Sequence, residues 1–293
     1  MIITFLTPAV ILYVLVFLYP TVRTIIMSFF SVESVSDPIS SWTFNGLGNF
    51  ALIFSSNLFV KSMQNMGKLW LFGGIGVMIL SLLFAIVLTS GMRGKSFYRS
   101  VIYLPNVVSA VAMGTMWLNY VYQPDYGLFN NVINFFGGSP LMWTGPNMLF
   151  WSMLIAYCFG MVGYHMLIFM SGIESIGMDY YEAASIEGAT IFQKFYYITL
   201  PFLRGVIRTN LVMWTVTTVG FFVWGQLFSP VNLSENTSMP LNYMYEMVFG
   251  SSSSALTVRN SGAGAAIGVL MAAVVVVVFM LTNFIVKNDD TEI

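Results

Sequence analysis

Long stretches without any charged residue divide the chain into apolar segments separated by short polar ones. A helix that crosses the hydrocarbon core of a bilayer needs about 20 consecutive apolar residues. Charge-free windows of that size or longer occur at 2–22, 69–92, 100–124, 126–173, 209–234 and 260–286. The first part of the fourth window is rich in glycine, asparagine and proline, which are typical of turns. Its helix is therefore predicted over about 148–172.

This pattern predicts an all-α, polytopic membrane protein in which residues 1–293 form a single transmembrane domain with six helices. The predicted spans are about 2–29, 66–92, 100–122, 148–172, 205–228 and 262–286, with a polar insert at 173–203. The composition agrees, because only 8% of the residues are charged, against about 25% in soluble domains. The first apolar run lacks the features of a cleaved signal peptide. We therefore expect a retained first span, preceded by a short cytosolic leader.

The distribution of basic residues predicts the orientation, because loops on the cytoplasmic side are enriched in Lys and Arg. With both termini in the cytoplasm, the inner segments hold Arg93, Lys95, Arg99, Lys194, Arg204, Arg208 and Lys287. The outer segments then hold only Arg23, Lys61, Lys68 and Arg259. This bias favours cytoplasmic termini and places the 173–203 insert in the cytoplasm.

Capping signals predict a short first helix in the insert. Asp179 and Glu182 have the spacing of a capping box, in which each side chain satisfies a free backbone amide. A helix from about 180 to 187 should follow, and Gly188 stands where a helix commonly ends in a left-handed residue. The alanines at 183 and 184 keep the surface of this helix small, which allows another surface to approach closely.

Thr190 and Gln193 form a second capping-box pattern and predict a second helix, which Pro201 should end. One interpretation of the insert is an amphipathic connector that lies on the membrane, with its tyrosines and other large apolar side chains at the headgroups. The alternative is a segment that docks a soluble subunit.

The same segment carries a family motif. Glu182-Ala183-Ala184, then Gly188, then Ile198-x-Leu200-Pro201 reproduce the pattern E-A-A-x3-G-x9-I-x-L-P. The chain resembles the permease subunits of binding-protein-dependent ABC importers. Leu18-Tyr19-Pro20 and Gly46-Leu47-x-Asn49-Phe50 are similar to the carbohydrate branch, specifically the first permease of maltose-type and glycerol-phosphate-type importers.

The resemblance implies a coupling helix that sits in a groove of a cytoplasmic ATPase. The residues expected to couple to that ATPase are Glu182, Ala183, Ala184, Gly188, Ile198, Leu200 and Pro201. Further expected partners are a second permease that forms a heterodimer, two copies of the ABC ATPase, an extracytoplasmic solute-binding protein and a sugar, in particular an oligosaccharide. ATP and Mg would bind the ATPase, so this chain should hold no cofactor and bind no nucleic acid. The expected location is a prokaryotic inner or plasma membrane.

The source of energy can also be argued from the residues. The predicted spans contain no Asp or Glu, the residues that proton or sodium coupling usually requires there. The chain has no G-x-x-x-x-G-K-[ST] phosphate loop, so the free energy should come from another subunit. His165 and Cys158 are the only residues of their types, too few for a metal site. We expect His165 to hydrogen-bond across helices and Cys158 to be a packing residue.

Several other functions remain open at this point. The chain could import another small solute, such as a glycerol phosphodiester, or act as a gradient-driven secondary carrier. A membrane-embedded enzyme would need more candidate catalytic groups than one histidine and one cysteine. A membrane scaffold without transport activity is the fourth alternative.

A stripe of aromatic and polar residues in the fifth predicted span is the candidate substrate pathway, because rings and hydrogen-bonding groups suit a sugar. Its members recur at steps of four and three residues, which places them on one helix face: Asn210, Trp214, Thr217, Phe221 and Trp224. Tyr157 and Tyr164 form a weaker stripe in span four. The alternative for both stripes is packing between helices.

Overall fold

In a computed structural model of the protein, the structure describes residues 2–229, 234–250 and 259–285. These residues are mostly helical. The α-helices are α1 (Ile2–Tyr13), α2 (Tyr19–Met27), α3 (Gly48–Ser55), α4 (Asn57–Lys68), α5 (Gly74–Thr89), α6 (Lys95–Val107), α7 (Ala110–Met116), α8 (Leu128–Phe135), α9 (Leu149–Glu174), α10 (Met178–Ile186), α11 (Ile191–Lys194), α12 (Leu200–Phe202), α13 (Arg204–Val219), α14 (Val223–Phe228), α15 (Pro240–Phe249) and α16 (Ser261–Ile285). Lys287, one of the basic residues used for the orientation, lies outside the described residues.

Short irregular elements join these helices. The turns with π-helical hydrogen bonding are Val14–Leu18, Leu69–Gly73, Trp117–Val121 and Phe195–Thr199. Strands β1 (Phe30–Ser31) and β2 (Thr43–Phe44) form an antiparallel pair, in which Phe30 lies opposite Phe44. The prediction of an all-α membrane protein is confirmed, since this two-residue ladder is the only sheet in the described ranges.

Helices long and apolar enough to cross a membrane occupy most of the predicted spans. Among the described residues these are Phe5–Met27, Asn57–Thr89, Leu149–Glu174 and Ser261–Ile285. A further candidate is the pair Lys95–Val107 and Ala110–Val121, which is bent by 97°. Pro105 lies two residues before the end of α6, where its missing N–H weakens the helix. Val108 and Ser109 then adopt extended backbone, which produces the bend.

The fifth predicted span, 205–228, is not one continuous helix. The chain forms α13, which has 16 residues, and α14, which has 6. The two helices are separated at Gly220, a residue of low helix propensity, and the Phe221 N–H bonds to the carbonyl of Thr218, three residues back. The prediction that residues 210–224 share one uninterrupted helix face is therefore wrong beyond Val219.

The chain divides into two compact units, of which the first comprises Met1–Asn65 and Val231–Val274. Asn49 is buried in this unit and donates to the carbonyls of Ser28 and Phe30, at 2.9 and 2.8 Å. The N–H of Gly262, at the start of α16, donates to the carbonyl of Val32. A Cβ atom at Gly262 would lie 2.3 Å from the carbonyl oxygen of Phe30, so only glycine allows this approach.

The second unit comprises Met66–Pro230 and Val275–Ile293. Helices α5 and α9 pack side by side here, and the Ser81 hydroxyl donates to the carbonyl of Val162 at 2.8 Å. Helix α6 also lies close to α9, since a Cβ atom at Gly163 would be 2.3 Å from the carbonyl oxygen of Ile102. A buried core joins α5, α9 and the residue before α13, formed by Ala85, Leu88, Met166, Phe169, Met170 and Leu203.

Candidate functional site

The first helix of the insert, α10, begins at Met178 with Gly177 as its N-cap. No side chain caps this end, so the predicted capping box of Asp179 and Glu182 is wrong. The helix starts one residue before Asp179, and that carboxylate lies in the first turn instead of flanking it. A negative charge there still interacts favourably with the positive end of the helix dipole.

The bend of the insert has the geometry of a Schellman motif, in which two amides cap the end of a helix. The Ala189 N–H donates to the carbonyl of Ala184 at 2.8 Å, and the Gly188 N–H donates to that of Ser185 at 3.1 Å. Gly188 has a φ of +76°, which confirms the predicted left-handed residue. No atom lies within 4 Å of a Cβ built there, so the glycine is required by backbone conformation and not by space.

The second arm of the insert begins with the predicted capping box. The Gln193 N–H donates to Thr190 Oγ1 at 3.3 Å, and the Thr190 N–H donates to Gln193 Oε1 at 2.7 Å. The arm stays helical through the π turn 195–199 and α12 and ends at Phe202, so the predicted end at Pro201 is correct to within one residue. Pro201 lies inside α12, directly after the π turn, and the helical run ends at the next residue.

Two side-chain hydrogen bonds join the arms of the insert. Lys194 Nζ donates to Ser185 Oγ at 2.6 Å. The hydroxyls of Tyr181 and Thr199 lie 2.9 Å apart. With the Schellman turn, these contacts fix the angle between α10 and the second arm.

The bend presents large apolar side chains to the surroundings. Ile186, Ile191 and Phe192 are 85%, 82% and 84% exposed. Glu182 and Ala183 are also exposed, whereas Ala184 is half-buried. Adjacent exposed apolar residues on a protein surface are typical of an interaction site.

Ile198, Leu200 and Pro201, the other motif residues, are half-buried where the insert joins the bundle. Lys95 Nζ, at the start of α6, lies 4.0 Å from Glu174 Oε1, at the end of α9, and both side chains are about half exposed.

Four of the candidate pathway residues meet in one aromatic cluster, formed by Tyr157, Trp214, Phe221 and Trp224. The centre of the Tyr157 ring lies 4.8 Å from that of Phe221, 5.7 Å from Trp214 and 5.9 Å from Trp224. All four side chains are buried. The sequence stripe thus identified residues that do contact one another.

Trp214 is a packing residue as well as a candidate pathway residue. Its side chain is fully buried, and its Nε1–H donates to the carbonyl of Trp70 at 2.9 Å. A Cβ atom at Gly74 would lie 2.7 Å from that nitrogen. The sequence stripe missed Trp70 and Gly74, although the Gly73-Gly74 pair inside an apolar run indicates close helix contact.

Thr217 and Tyr164 are the two candidate pathway residues that keep accessible surface, as both are half-buried. Asn210 is buried and accepts a hydrogen bond through Oδ1 from His165 Nδ1 at 2.7 Å. The predicted bond of His165 across helices is therefore confirmed. Within the described residues, no group of three or more His, Cys, Asp or Glu could hold a metal ion.

The curated proteins with similar sequences include permeases named for sugars. The diacetylchitobiose uptake system permease of Streptomyces coelicolor is 28% identical over 261 residues, covering 84% of this chain and 71% of that protein. The arabinooligosaccharides transport system permease of Halalkalibacterium halodurans is 26% identical over 300 residues, covering 97% and 88%.

The fold has a counterpart among solved structures. A bacterial ABC transporter involved in the import of the acidic polysaccharide alginate superposes with a TM-score of 0.80, covering 98% of this chain and 95% of that one at 20% identity. The family model for the inner membrane component of binding-protein-dependent transport systems matches residues 78–288. The chain therefore belongs to that family, and it is a non-enzymatic membrane component of a transport system.

Proposed function

We propose that the chain is a permease subunit of an ATP-driven importer for a sugar, with an oligosaccharide as its cargo. The observation that carries this proposal is its similarity, over most of both chains, to permeases named for diacetylchitobiose and arabinooligosaccharides. Its permease family also argues against the alternatives of a membrane enzyme, a scaffold or a gradient-driven carrier.

The coupling insert, residues 173–203, is the proposed contact with a cytoplasmic ATPase that binds ATP and Mg. Its exposed apolar bend favours a protein partner, and its cross-braced arms can transmit force without changing their angle. Exposed Glu182 can add a polar contact at the same surface. The same orientation would put both termini in the cytoplasm, and the enrichment of Lys and Arg in the segments that would then be inner supports it.

A second permease is the proposed partner of the first helical segment. Its most apolar 18 residues, within Phe5–Met27, include none that the described part of the chain buries, so they are open to lipid or to another subunit. Only Met27, at the end of the segment, is buried. A solute-binding protein on the outer side of the membrane would deliver the sugar. Support for this partner comes from the alginate importer, which was also solved in complex with a periplasmic protein that carries an alginate pentasaccharide.

The proposed pathway uses the candidate residues in two ways. A residue that lines a passage between two permeases must have accessible surface in one permease alone. Thr217 and Tyr164 meet this condition and would contact the sugar, whereas the aromatic cluster and Asn210 would form the wall behind them. Removing the Thr217 hydroxyl by substitution with Val should weaken sugar-stimulated transport about fivefold, the value of one net hydrogen bond.

The test of the coupling role is substrate-stimulated ATP hydrolysis by the complete importer in lipid nanodiscs, with binding protein and oligosaccharide present. Gly188→Asp should abolish the stimulation, because it strains the left-handed turn and adds a charge at the docking surface. Glu182→Lys should do the same by reversing a charge. Both variants should insert into the membrane in normal amounts.

Gly137→Asp is the matched control. Gly137 has a φ of +77° and open space around its Cβ position, like Gly188, but it follows α8. The importer with Gly137→Asp should keep its substrate-stimulated ATP hydrolysis. Unchanged stimulation in Gly188→Asp and Glu182→Lys, or transport by vesicles that lack the ATPase, would contradict the proposed function.

A further inference from the structure

A groove of about 810 Å³ opens on the second unit, between α5, α9 and the bent pair α6–α7. None of its lining residues carries a charge, an amide or a hydroxyl group. Val101 and Pro105 line it before the bend, and Met116 and Trp117 line it after the bend. The groove is therefore an apolar site within helices that cross the bilayer.

The length of the groove is close to that of one leaflet. From Phe72, in the π turn before α5, to Phe84 in α5 it extends over twelve residue steps, about 18 Å at 1.5 Å per residue. The hydrocarbon core of a bilayer is about 30 Å thick. A spanning helix of another subunit would need the longer distance, whereas a lipid chain ends near the middle of the bilayer.

Helix α8 covers one end of the groove, where Leu128 and Phe129 belong to its lining. This helix is held by buried Asn130, which donates to the carbonyl of Leu141 and accepts from Trp143 Nε1, each at 3.0 Å. Because α8 is fixed across that end, it blocks the path of a straight spanning helix along the groove.

The exposed face of α8 suits the boundary between headgroups and acyl chains. Leu128, Val132 and Phe135 are exposed at steps of four and three residues, so they lie on one side of the helix. An amphipathic helix with this pattern rests in the membrane interface with its apolar face toward the acyl chains. The covered end of the groove then lies at headgroup depth.

We propose that this groove is a binding site for one acyl chain of a phospholipid from the leaflet on the α8 side. Trp117 lies at the same end and contributes its ring to the lining of the groove. The site depends on the chain being in a bilayer and not on the ATPase coupling proposed above.

The test uses the complete importer in nanodiscs that contain phosphatidylcholine with a photoreactive diazirine on one acyl chain. After irradiation, mass spectrometry should find cross-linked peptides concentrated on the groove residues of α5 and α9, above the level on the exposed residues of α16.

Gly76→Leu is the variant that fills the groove. Gly76 lines it, and no atom lies within 4 Å of a Cβ built there. Displacing about two buried methylenes should lower groove cross-linking about tenfold. Leucine also has the higher helix propensity, so α5 should fold normally. Gly67→Leu, at an equally open glycine outside the groove, is the control and should leave the cross-linking unchanged.

Two outcomes would overturn the proposal. Cross-links spread evenly over groove and α16, and unaffected by Gly76→Leu, would indicate ordinary surrounding lipid. Separation of the two permeases in Gly76→Leu would indicate that a partner helix occupies the groove. Both readouts are independent of ATP hydrolysis, so a failure of the coupling proposal would leave this test valid.

Discussion

The bend of the coupling insert and the aromatic cluster both contain large apolar side chains, but they differ in what those side chains contact. Phe192 is 84% exposed, whereas Trp214 is fully buried. Short polar contacts hold the insert together, such as the bond from Lys194 to Ser185. The cluster is held by ring packing and by the bond from Trp214 to Trp70.

Large apolar side chains in this subunit therefore have one of two roles. Apolar side chains that are buried stabilise the chain itself. Those that remain exposed on a polar, cross-braced segment are available to a partner, since their removal costs the chain little. Mutations in the two regions should therefore affect different measurements.

Trp214→Ala should produce the largest effect on stability. Truncating a fully buried tryptophan leaves a cavity and typically costs about 3–5 kcal/mol. We expect a lower thermal unfolding midpoint of the purified complex in detergent, with a smaller yield of folded protein. A midpoint equal to that of the unmodified chain would show that the aromatic cluster is not a stabilising core.

Phe192→Ala should leave the unfolding midpoint unchanged and weaken the binding of the ATPase. Loss of an aromatic anchor at an interface costs about 2 kcal/mol, or about thirtyfold in affinity. The measurement is the ATPase concentration that half-saturates the permease pair. Phe284→Ala is the control, because Phe284 is 78% exposed but lies in a spanning helix. If both variants bound equally well, the exposed bend would not be the docking surface.

Breaking the bond between His165 and Asn210 should have a smaller effect on stability. Asn210→Leu leaves a buried imidazole N–H without its acceptor, which costs about 1–2 kcal/mol. A double-mutant cycle with His165→Leu should give a coupling energy of about 0.6 kcal/mol, the average for hydrogen bonds between membrane helices. Strictly additive unfolding energies would show that the bond contributes nothing.

Lys95→Ala should have the smallest effect. The ion pair with Glu174 is 4.0 Å long and half exposed, so it contributes at most about 0.5 kcal/mol. The unfolding midpoint should change little at low salt and not at all at high salt. A large decrease would indicate that Lys95 has a further role in the packing of α6.

Local rules predicted parts of the insert well. The Schellman turn at Gly188 and the capping box of Thr190 and Gln193 depend only on neighbouring residues, so their sequence signals are sufficient. The prediction of Asp179 as the capping residue of α10 was wrong, because several residues before the helix could begin it and Gly177 does so. The end of the second arm also depends on a local rule, because a proline disrupts the helix around it and the arm ends one residue after Pro201.

Contacts between distant segments were harder to predict. The spacing of three and four residues over 210–224 correctly grouped the residues of the aromatic cluster. It could not show that the helix breaks at Gly220, or that Trp214 is buried against Trp70. Helical periodicity gives the face on which a residue lies, and not which other helix covers that face. The same limit applies to the 97° bend after Pro105.

The most direct test of the docking account is the labelling of Ala183→Cys in a chain where Cys158, the only native cysteine, is replaced by alanine. A membrane-impermeant maleimide would be added to vesicles of either orientation, with and without the ATPase. The account predicts labelling only from the cytoplasmic face, and protection of the thiol when the ATPase is bound. Labelling from the outer face, or equal labelling with and without the ATPase, would contradict it.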